Sequence, residues 1–346
     1  MSGRLDLRRG VVLAVEPLLV DVGGEHRPAW ADPVLLGEVH PGDEVVVNVA
    51  ARDLGLGSGG FDVVHVNLTR GLDAADRGPE HVIKLNYTSL QHPVEPVEGI
   101  EAATPELRFL SPLSQDKGTT RVLVLPLHGH LAPAAWAAAE AMPGIKVGYI
   151  QTGGGALPGS FSRDVAQLRQ RELLCGHIAA APAYGGEHDA LSTVGALDAA
   201  ARLGWDAALV GPGPGIIGSN TEFGHGGMAA LDSAHAALSL GMPTWISPRM
   251  SAADPRERHL GLSHHTYTVL ELLLAPVDVG CPSDFPDAAA ELENAREDRH
   301  HVHLHHVELD AYASAGLPTK TMGRTLAEDP LFFAAPLAAG HLFVSQ

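Results

Sequence analysis

From residue 121 to residue 346, short apolar runs alternate with segments of helical periodicity, and this alternation constrains the fold more than any other feature. Leu191, Val194, Leu197 and Ala201, for example, fall on one face of a helix. Strands that alternate with helices form a parallel sheet with crossover helices, so we predict a Rossmann-like α/β domain with helices on both faces of a mostly parallel sheet. The predicted strands are residues 121–127, 145–151, 177–183, 206–211, 243–247, 276–280 and 301–309.

The loops between these elements are unequal in length and chemistry. Connections from helix to strand are short and contain glycine, whereas connections from strand to helix are long and rich in polar side chains. In open α/β sheets, ligands bind outside the carboxyl ends of the strands. We therefore expect the strand-to-helix loops to converge on one crevice. These loops are residues 128–130, 152–155, 184–189, 211–226 and 248–265.

The first quarter of the chain has a different pattern. Within residues 1–86, β-branched runs are separated by glycine-rich turns, which predicts a small all-β, barrel-like domain. This domain could be a binding module or a structural cap, and the lack of a basic and aromatic surface pattern favours the cap. Residues 87–120 contain four prolines and no sustained periodicity, so we interpret them as a connector.

The charge balance limits the partners. A formal net charge of −18 argues against nucleic acid, because phosphate backbones are bound by clustered Lys and Arg. A small anionic molecule stays compatible, since a local pocket of Arg and His can be positive on an acidic surface. Residues 1–10 lack a secretory signal pattern, no apolar run is long enough to span a membrane, and two cysteines form no disulfide framework. We expect a cytoplasmic protein.

Two glycine-rich turns follow predicted strands and precede predicted helices. Glycines there allow the backbone to approach a ligand closely, and the N–H groups at a helix start favour an anion. The spacing matches neither the dinucleotide fingerprint nor a P-loop, so a tight turn is an equally good interpretation. The candidate ligand-binding residues are Thr152, Gly153, Gly154 and Gly155 in one turn, and Gly213, Gly215, Gly218 and Ser219 in the other.

Residues 249–265 bring carboxylate, guanidinium and imidazole groups together in the sequence. Ser263 suits the N-cap of a helix, which puts His264 and His265 in its first turn. One of these histidines would act as general acid or base, because imidazole titrates near neutrality. The guanidinium groups of Arg249, Arg256 and Arg258 would hold a phosphate or a carboxylate.

A metal site is an alternative use of the same stretch. Asp254, His259 and one later histidine are ligand types that suit zinc, manganese or iron. His264 and His265 are neighbours on a helix and are expected to point apart, so that one ion could not easily take both. A solvated loop with local Asp–Arg pairing is a third interpretation. The sequence identifies neither a metal nor a cofactor.

Taken together, these stretches resemble a bacterial protein family classed only as a domain of unknown function. The resemblance covers nearly the whole chain and rests on residues 55–60, 152–158, 211–218, 253–256 with His259, 263–265, and 321–324 with 328–330. In the family pattern an aspartate usually occupies the position of Gly153. If that aspartate is catalytic or ligates a metal in the family, this chain lacks it.

We therefore predict an enzyme, a hydrolase or transferase, that acts on an anionic, phosphorylated or nucleotide-like small molecule at the carboxyl edge of the sheet. His264, His265, His259 and Asp254 are the candidate catalytic residues. Two other functions stay open: a metal-dependent hydrolase that uses Asp254 and His259, and a ligand-sensing or scaffold protein without catalysis. The Ala-rich helices and glycine-rich edges would allow a homodimer, but no pattern requires one.

Overall fold

A computed structural model describes residues 4–57, 59–72, 78, 80–99, 120–295 and 298–346 of the chain. The chain divides into two compact units, Met1–Pro93 and Val94–Gln346. Most of the connector predicted at residues 87–120 lies outside the described residues.

The first unit contains a closed five-stranded barrel with the strand order β1-β2-β3-β5-β4. Valines fill its interior, as the β-branched runs predict; Val12, Val20, Val45 and Val47 are all buried. The elements are β1 (Leu7–Val15), β2 (Leu18–Val22), β3 (Glu25–Trp30), α1 (Pro33–Leu36), β4 (Glu44–Asn48), α2 (Ala50–Asp53) and β5 (Asp62–Asn67), followed by the short strands β6 (Val82–Lys84) and β7 (His92–Val94).

Strand β3 was not predicted, and its composition explains why. The strand contains Pro28 and begins with charged residues, so it lacks the apolar alternation of its neighbours. Arg27 nevertheless points inward, where its Nε lies 2.5 Å from a carboxylate oxygen of the buried Asp62. A charge pair thus fills a position of the barrel that the other strands fill with valine.

The second unit is built on an eight-stranded sheet with helices on both faces. The strands are β8 (Arg121–Val124), β9 (Val147–Thr152), β10 (His177–Ala180), β11 (His188–Ala190), β12 (Ala207–Pro212), β13 (Thr244–Ile246), β14 (Met250–Ser251), β15 (Gly261–Leu262), β16 (Asp278–Pro282), β17 (His301–His305), β18 (Lys320–Thr321) and β19 (Arg324–Thr325). The helices are α3 (Leu131–Ala141), α4 (Arg163–Gln170), α5 (Thr193–Arg202), α6 (Ala229–Ser239), α7 (His264–Leu272), α8 (Pro286–Ala295), α9 (Leu309–Ser314) and α10 (Pro330–Ser345).

Alternate side chains of the central strand β8 enter two separate cores. Val122 and Val124 pack with helices α5, α6, α7 and α8, whereas Leu123 and Leu125 pack with α3, α4, α9 and α10. Successive residues of a strand point to opposite faces of the sheet, so this division shows that both faces are covered. The α/β class and the barrel that precedes it are confirmed. None of the helices in the described part of the chain is long and apolar enough to cross a bilayer.

The strand order places three loops next to one another. The sheet runs β11-β10-β9-β12-β8-β13-β16-β17, and its pairings are parallel. After β8, the chain forms β9, β10 and β11 on one side of the sheet. It then returns to place β12 between β9 and β8, and adds β13, β16 and β17 on the other side. A change of direction of this kind opens a crevice at the carboxyl ends of the central strands, where ligands bind in open α/β sheets. The loops after β12, β8 and β13 surround that point.

Buried histidines make the stability of this unit dependent on pH. Burial lowers the pKa of His177, on β10, to about 4. The His177 ring stacks on Tyr149, with 5.4 Å between centroids and 15° between planes. An exposed histidine titrates near pH 6.5, so between about pH 6.5 and pH 4 the unfolded chain binds a proton that the folded chain does not. The free energy of unfolding therefore falls as the pH drops through this range.

Replacing His177 should reduce this pH dependence. In His177→Phe, we expect the slope of unfolding free energy against pH to flatten by up to about 1.4 kcal/mol per pH unit between pH 4 and pH 6.5, because one differential proton is removed. Urea unfolding at half-unit pH steps, followed by tryptophan fluorescence, measures the slope. Tyr149→Phe alters the same stacked pair without removing an imidazole and should keep the wild-type slope. An unchanged slope in His177→Phe would contradict the assignment.

Candidate functional site

A pocket of about 270 Å³ lies where the fold predicts a crevice, at the loops that follow β8, β12 and β13. Thr321 and Met322, from the turn between β18 and β19, close one side. The loops that the sequence singled out for their polar residues thus meet at the edge of three adjacent strands. The predicted residues that line this pocket are Gly215, Gly218, Arg249, Arg256, Arg258, His259, His264 and His265.

The first predicted glycine turn does not line this pocket. Thr152, Gly153 and Gly154 line a second depression, and a Cβ atom at Gly154 would lie 2.4 Å from the carbonyl oxygen of Gly226. A Cβ atom at Gly155 would lie 2.1 Å from the carbonyl oxygen of Gly213. The glycines at positions 154 and 155 therefore let two loops pack backbone against backbone. Gly153, where the resemblance leads us to expect an aspartate in the family, belongs to the second depression.

Two glycines of the second predicted turn line the pocket, whereas its other two candidate residues are not part of the pocket lining. Gly215 has a φ of +71°, a conformation that favours glycine, and it lines the pocket together with Gly218. Gly213 lies behind the lining, packed on the loop after β9. The hydroxyl of Ser219 lies 2.9 Å from the Thr221 hydroxyl and donates to the carbonyl of Gly224 at 3.0 Å. Ser219 thus shapes its own turn.

A cluster of imidazole rings forms one wall of the pocket. Helix α7 begins at His264, and the predicted cap is confirmed because the Ser263 hydroxyl accepts a hydrogen bond from the backbone N–H of His265. The same hydroxyl lies 2.7 Å from Nδ1 of His259. His225, from the loop after β12, stacks on His265 with 3.6 Å between centroids and 6° between planes.

The expectation that His264 and His265 point apart is wrong. Their ring centroids are 4.4 Å apart, and that of His264 is 5.3 Å from that of His225. Neighbours on a helix are separated by about 100° of arc rather than 180°. In the first turn no earlier turn restricts the side-chain rotamers, so both rings can turn toward the pocket.

Sequence reasoning did not single out His225 or His128, which also line the pocket. His225 was only part of the long loop 211–226. A Cβ atom at Gly227 would lie 3.0 Å from Nδ1 of His225 and 2.9 Å from Nδ1 of His265, so glycine leaves room for both rings. The signal that could have identified His225 is a lone imidazole between glycines in a strand-to-helix loop.

The imidazoles of this wall are uncharged near neutral pH. Burial, followed by the charges of Arg249 and Arg256, lowers the pKa of His259 to about 3. Burial is also the main cause that lowers the pKa values of His225, His264 and His265, and the Arg249 guanidinium adds to it in each case. Neutral imidazoles can accept a proton or bind a metal ion.

Asp254 lies beneath the pocket as the counterion of its arginines. It is buried, and its carboxylate accepts hydrogen bonds from Arg256 at 2.9 and 2.8 Å. Arg249 and Arg324 each place a guanidinium nitrogen within 3.5 Å of the same carboxylate. Burial raises the pKa of Asp254, but the hydrogen bonds and charge of Arg256 outweigh it and hold the pKa well below its usual range. These contacts favour a structural counterion over a proton donor or metal ligand.

The described residues contain one group of three side chains arranged as metal ligands. His225, His264 and His265 each place one ring nitrogen within 4.8 Å of the others. His259 and Asp254 are not part of this group. The pocket thus combines three arginines with several imidazoles, of which three are close enough together to share one ion.

Removing the Asp254 carboxylate should destabilise the second unit. In Asp254→Ala, we expect the free energy of unfolding to fall by about 3–5 kcal/mol, because the buried Arg249 loses its counterion. Glu328→Ala is the matched control: its exposed carboxylate accepts hydrogen bonds only from Thr325 within the described structure, so its loss should change the free energy of unfolding much less. Urea unfolding measures both. Equal losses in the two variants would show that Asp254 does not hold the arginines.

Comparison with known proteins bears on the whole chain. A search of the curated proteins and a search of the solved structures each found no match. A family profile with the description "Protein of unknown function (DUF3866)" matches residues 29–340, which include the residues of the pocket. The resemblance inferred from the sequence is thereby confirmed, and the chain belongs to this family of proteins of unknown function.

Proposed function

We propose that the protein is an enzyme, a hydrolase or a transferase, whose substrate is a small phosphorylated or nucleotide-like anion bound in this pocket. One observation carries the proposal: three guanidinium groups line the same cavity as imidazoles that are uncharged near neutral pH. Guanidinium groups bind phosphate and carboxylate, and neutral imidazoles accept protons. A cavity of about 270 Å³ suits a small metabolite.

Arg258 is the guanidinium best placed to meet an anion. Arg249 and Arg256 are both close to the Asp254 carboxylate, which offsets part of their charge. Arg258 is exposed and donates to the amide oxygen of Asn220 at 2.7 Å, and in the described structure it pairs with no carboxylate. Gly215 and Gly218 line the same pocket, and we expect backbone N–H groups of this turn to contribute to binding the same anion.

The imidazole wall supplies the means to activate a water molecule or a hydroxyl group. Nδ1 of His265 lies 3.0 Å from Nη1 of Arg249, and Nδ1 of His259 lies 2.7 Å from the Ser263 hydroxyl. Nε2 of His264 is buried at the pocket wall and has no hydrogen-bond partner in the described structure. Both ring nitrogens of His225 also have no partner in the described structure, so His264 and His225 carry the ring nitrogens best able to receive a proton from a bound molecule.

The contacts support this function more strongly than the alternatives. A metal site on Asp254 and His259 would compete with the arginines for the Asp254 carboxylate. A ligand-sensing protein needs the same anion site but no activated water, so it differs only in turnover. The proposal keeps the expectations that the protein works in the cytoplasm, does not bind nucleic acid, and can form a homodimer.

Loss of the Arg258 charge should weaken anion binding. We expect Arg258→Gln to bind pyrophosphate or adenosine monophosphate about 10–100-fold more weakly in isothermal titration calorimetry, because one charge-assisted hydrogen bond is lost. Arg163→Gln removes a similar exposed charge from the first turn of α4, away from the pocket lining, and should bind like the wild type. Failure of the wild type to bind any anion in a phosphorylated-metabolite screen would refute the proposal.

Turnover separates the enzyme from the sensor. We expect a substrate found in that screen to be hydrolysed or transferred by the wild type, and His264→Ala to retain binding of it but to turn it over at least about 100-fold more slowly. Release of phosphate or of a leaving group, followed by liquid chromatography, measures the rate. Tight binding without turnover would identify a sensor.

A further inference from the structure

We propose that His225, His264 and His265 bind a divalent transition-metal ion, with zinc as the expected occupant. The site itself is argued from geometry, and only its role in catalysis rests on the proposed function. Each of the three side chains places a ring nitrogen within 4.8 Å of the other two. The three rings come from two loops that meet at the pocket edge, one after β12 and one after β13.

The present spacing is close to what one ion requires. Zinc binds imidazole nitrogen at about 2.0–2.1 Å, so three nitrogens around a tetrahedral ion lie about 3.4 Å apart. Rotations that move each ring by about 1 Å would bring nitrogens from 4.8 Å to that distance. Imidazole ligands without carboxylate select zinc, copper or nickel rather than magnesium or calcium.

The surroundings of the rings support a shared ligand. His225 and His265 lie side by side with 3.6 Å between ring centroids, and a side chain at Gly227 would press against Nδ1 of both rings. Both ring nitrogens of His225 are buried and have no hydrogen-bond partner in the described structure. Nε2 of His264 is buried and has no hydrogen-bond partner in the described structure. A buried imidazole nitrogen is costly to leave without a partner, and a metal ion would supply one.

Three protein ligands leave one position open, as in catalytic zinc sites. All three histidines line the proposed anion pocket, so that position faces it. A metal held there would lower the pKa of a bound water molecule, which could then release a proton to solvent near neutral pH and serve as the nucleophile of a hydrolysis. On this proposal, the imidazole wall activates water through the metal.

Arg249 couples the metal to the anion. Its Nη1 lies 3.0 Å from Nδ1 of His265, so binding of a metal at that atom requires the guanidinium to release it. Arg249 keeps its ion pair with Asp254 and can then meet an anion held at the open position. A cation beside several arginines is favoured when an anion accompanies it. We therefore expect phosphate and metal to strengthen the binding of each other.

The histidine-rich strand β17 provides a matched control. His303 lies 2.7 Å from Asp278, and His305 stacks on His341 with 3.7 Å between centroids. Strand β17 is at the far edge of the sheet from β12. Its histidines could collect ions at the surface, and they do not belong to the group of three.

The test is a titration of tag-free, full-length protein, stripped with a chelator, with Co²⁺ followed by visible absorption and then by competition with Zn²⁺. We expect saturation at one equivalent. Loss of an outer hydrogen-bond partner weakens a metal site about 10–100-fold, so loss of a ligand in His225→Ala or His264→Ala should cost about 100-fold or more. The double variant His301→Ala/His303→Ala should bind like the wild type. Circular dichroism checks that each variant is folded.

Three results would overturn the metal site: no saturable binding, wild-type affinity in both folded His225→Ala and His264→Ala, or loss of binding only in the β17 double variant. Titration of metal-free protein with pyrophosphate separates this proposal from the proposed function. Metal binding without any anion binding would refute the function and leave the metal site. Turnover at the wild-type rate in excess chelator would refute the catalytic role of the metal and leave the proposed function.

Discussion

The pocket depends on two buried carboxylates shared by three arginines. Asp254 faces Arg249, Arg256 and Arg324, and Arg324 also bonds to Asp329 at 2.9 Å. Arginine charge can be buried only where a counterion meets it, so these contacts fix the path of the loop after β13. Since that loop leads directly into α7, the same charges determine where the imidazole wall stands.

The second carboxylate ties this loop to the last helix. Asp329 lies at the start of α10, where it accepts hydrogen bonds from the Ser251 hydroxyl at 2.6 Å and from the backbone N–H of Ala252 at 2.8 Å. Helix α10 is largely buried against the sheet, so its first turn is a rigid anchor. The polar loop after β13, which carries Arg249 and Arg256, is thereby tied to a largely buried, apolar helix.

Sequence reasoning succeeded where the signal is local. Strands β8, β12 and β13 are apolar runs that end at a proline or within two residues of a proline or serine, and Ser263 caps a helix by its own hydroxyl. The loops converge because the strands are parallel, so their carboxyl ends meet at one edge of the sheet. Ligands of open α/β sheets bind at that edge. These features need no knowledge of distant residues, so the fold and the position of the pocket could be predicted.

The rest required contacts between distant parts of the chain. Asp254 resembles a catalytic carboxylate until Arg324, seventy positions away along the chain, is placed beside it. In the sequence, Gly154 and Gly155 look like part of an anion-binding turn. In the structure, they pack against the backbone at Gly226 and Gly213. His225 has no sequence neighbour that marks it, because its partners His264 and His265 lie on another loop. Each of these roles is set by a tertiary neighbour.

Burial and arginine charge both disfavour additional positive charge in the pocket. Burial lowers the pKa of Arg249 to about 10, which leaves the guanidinium charged at neutral pH, while the same environment keeps His259 and His265 uncharged. The pocket therefore holds fixed positive charge next to uncharged bases, and protonation of those bases would add repulsion. An anion relieves this repulsion, which makes anion binding and the chemistry of the imidazoles interdependent. A substrate that carries its own negative charge would complete the electrostatic balance of the site.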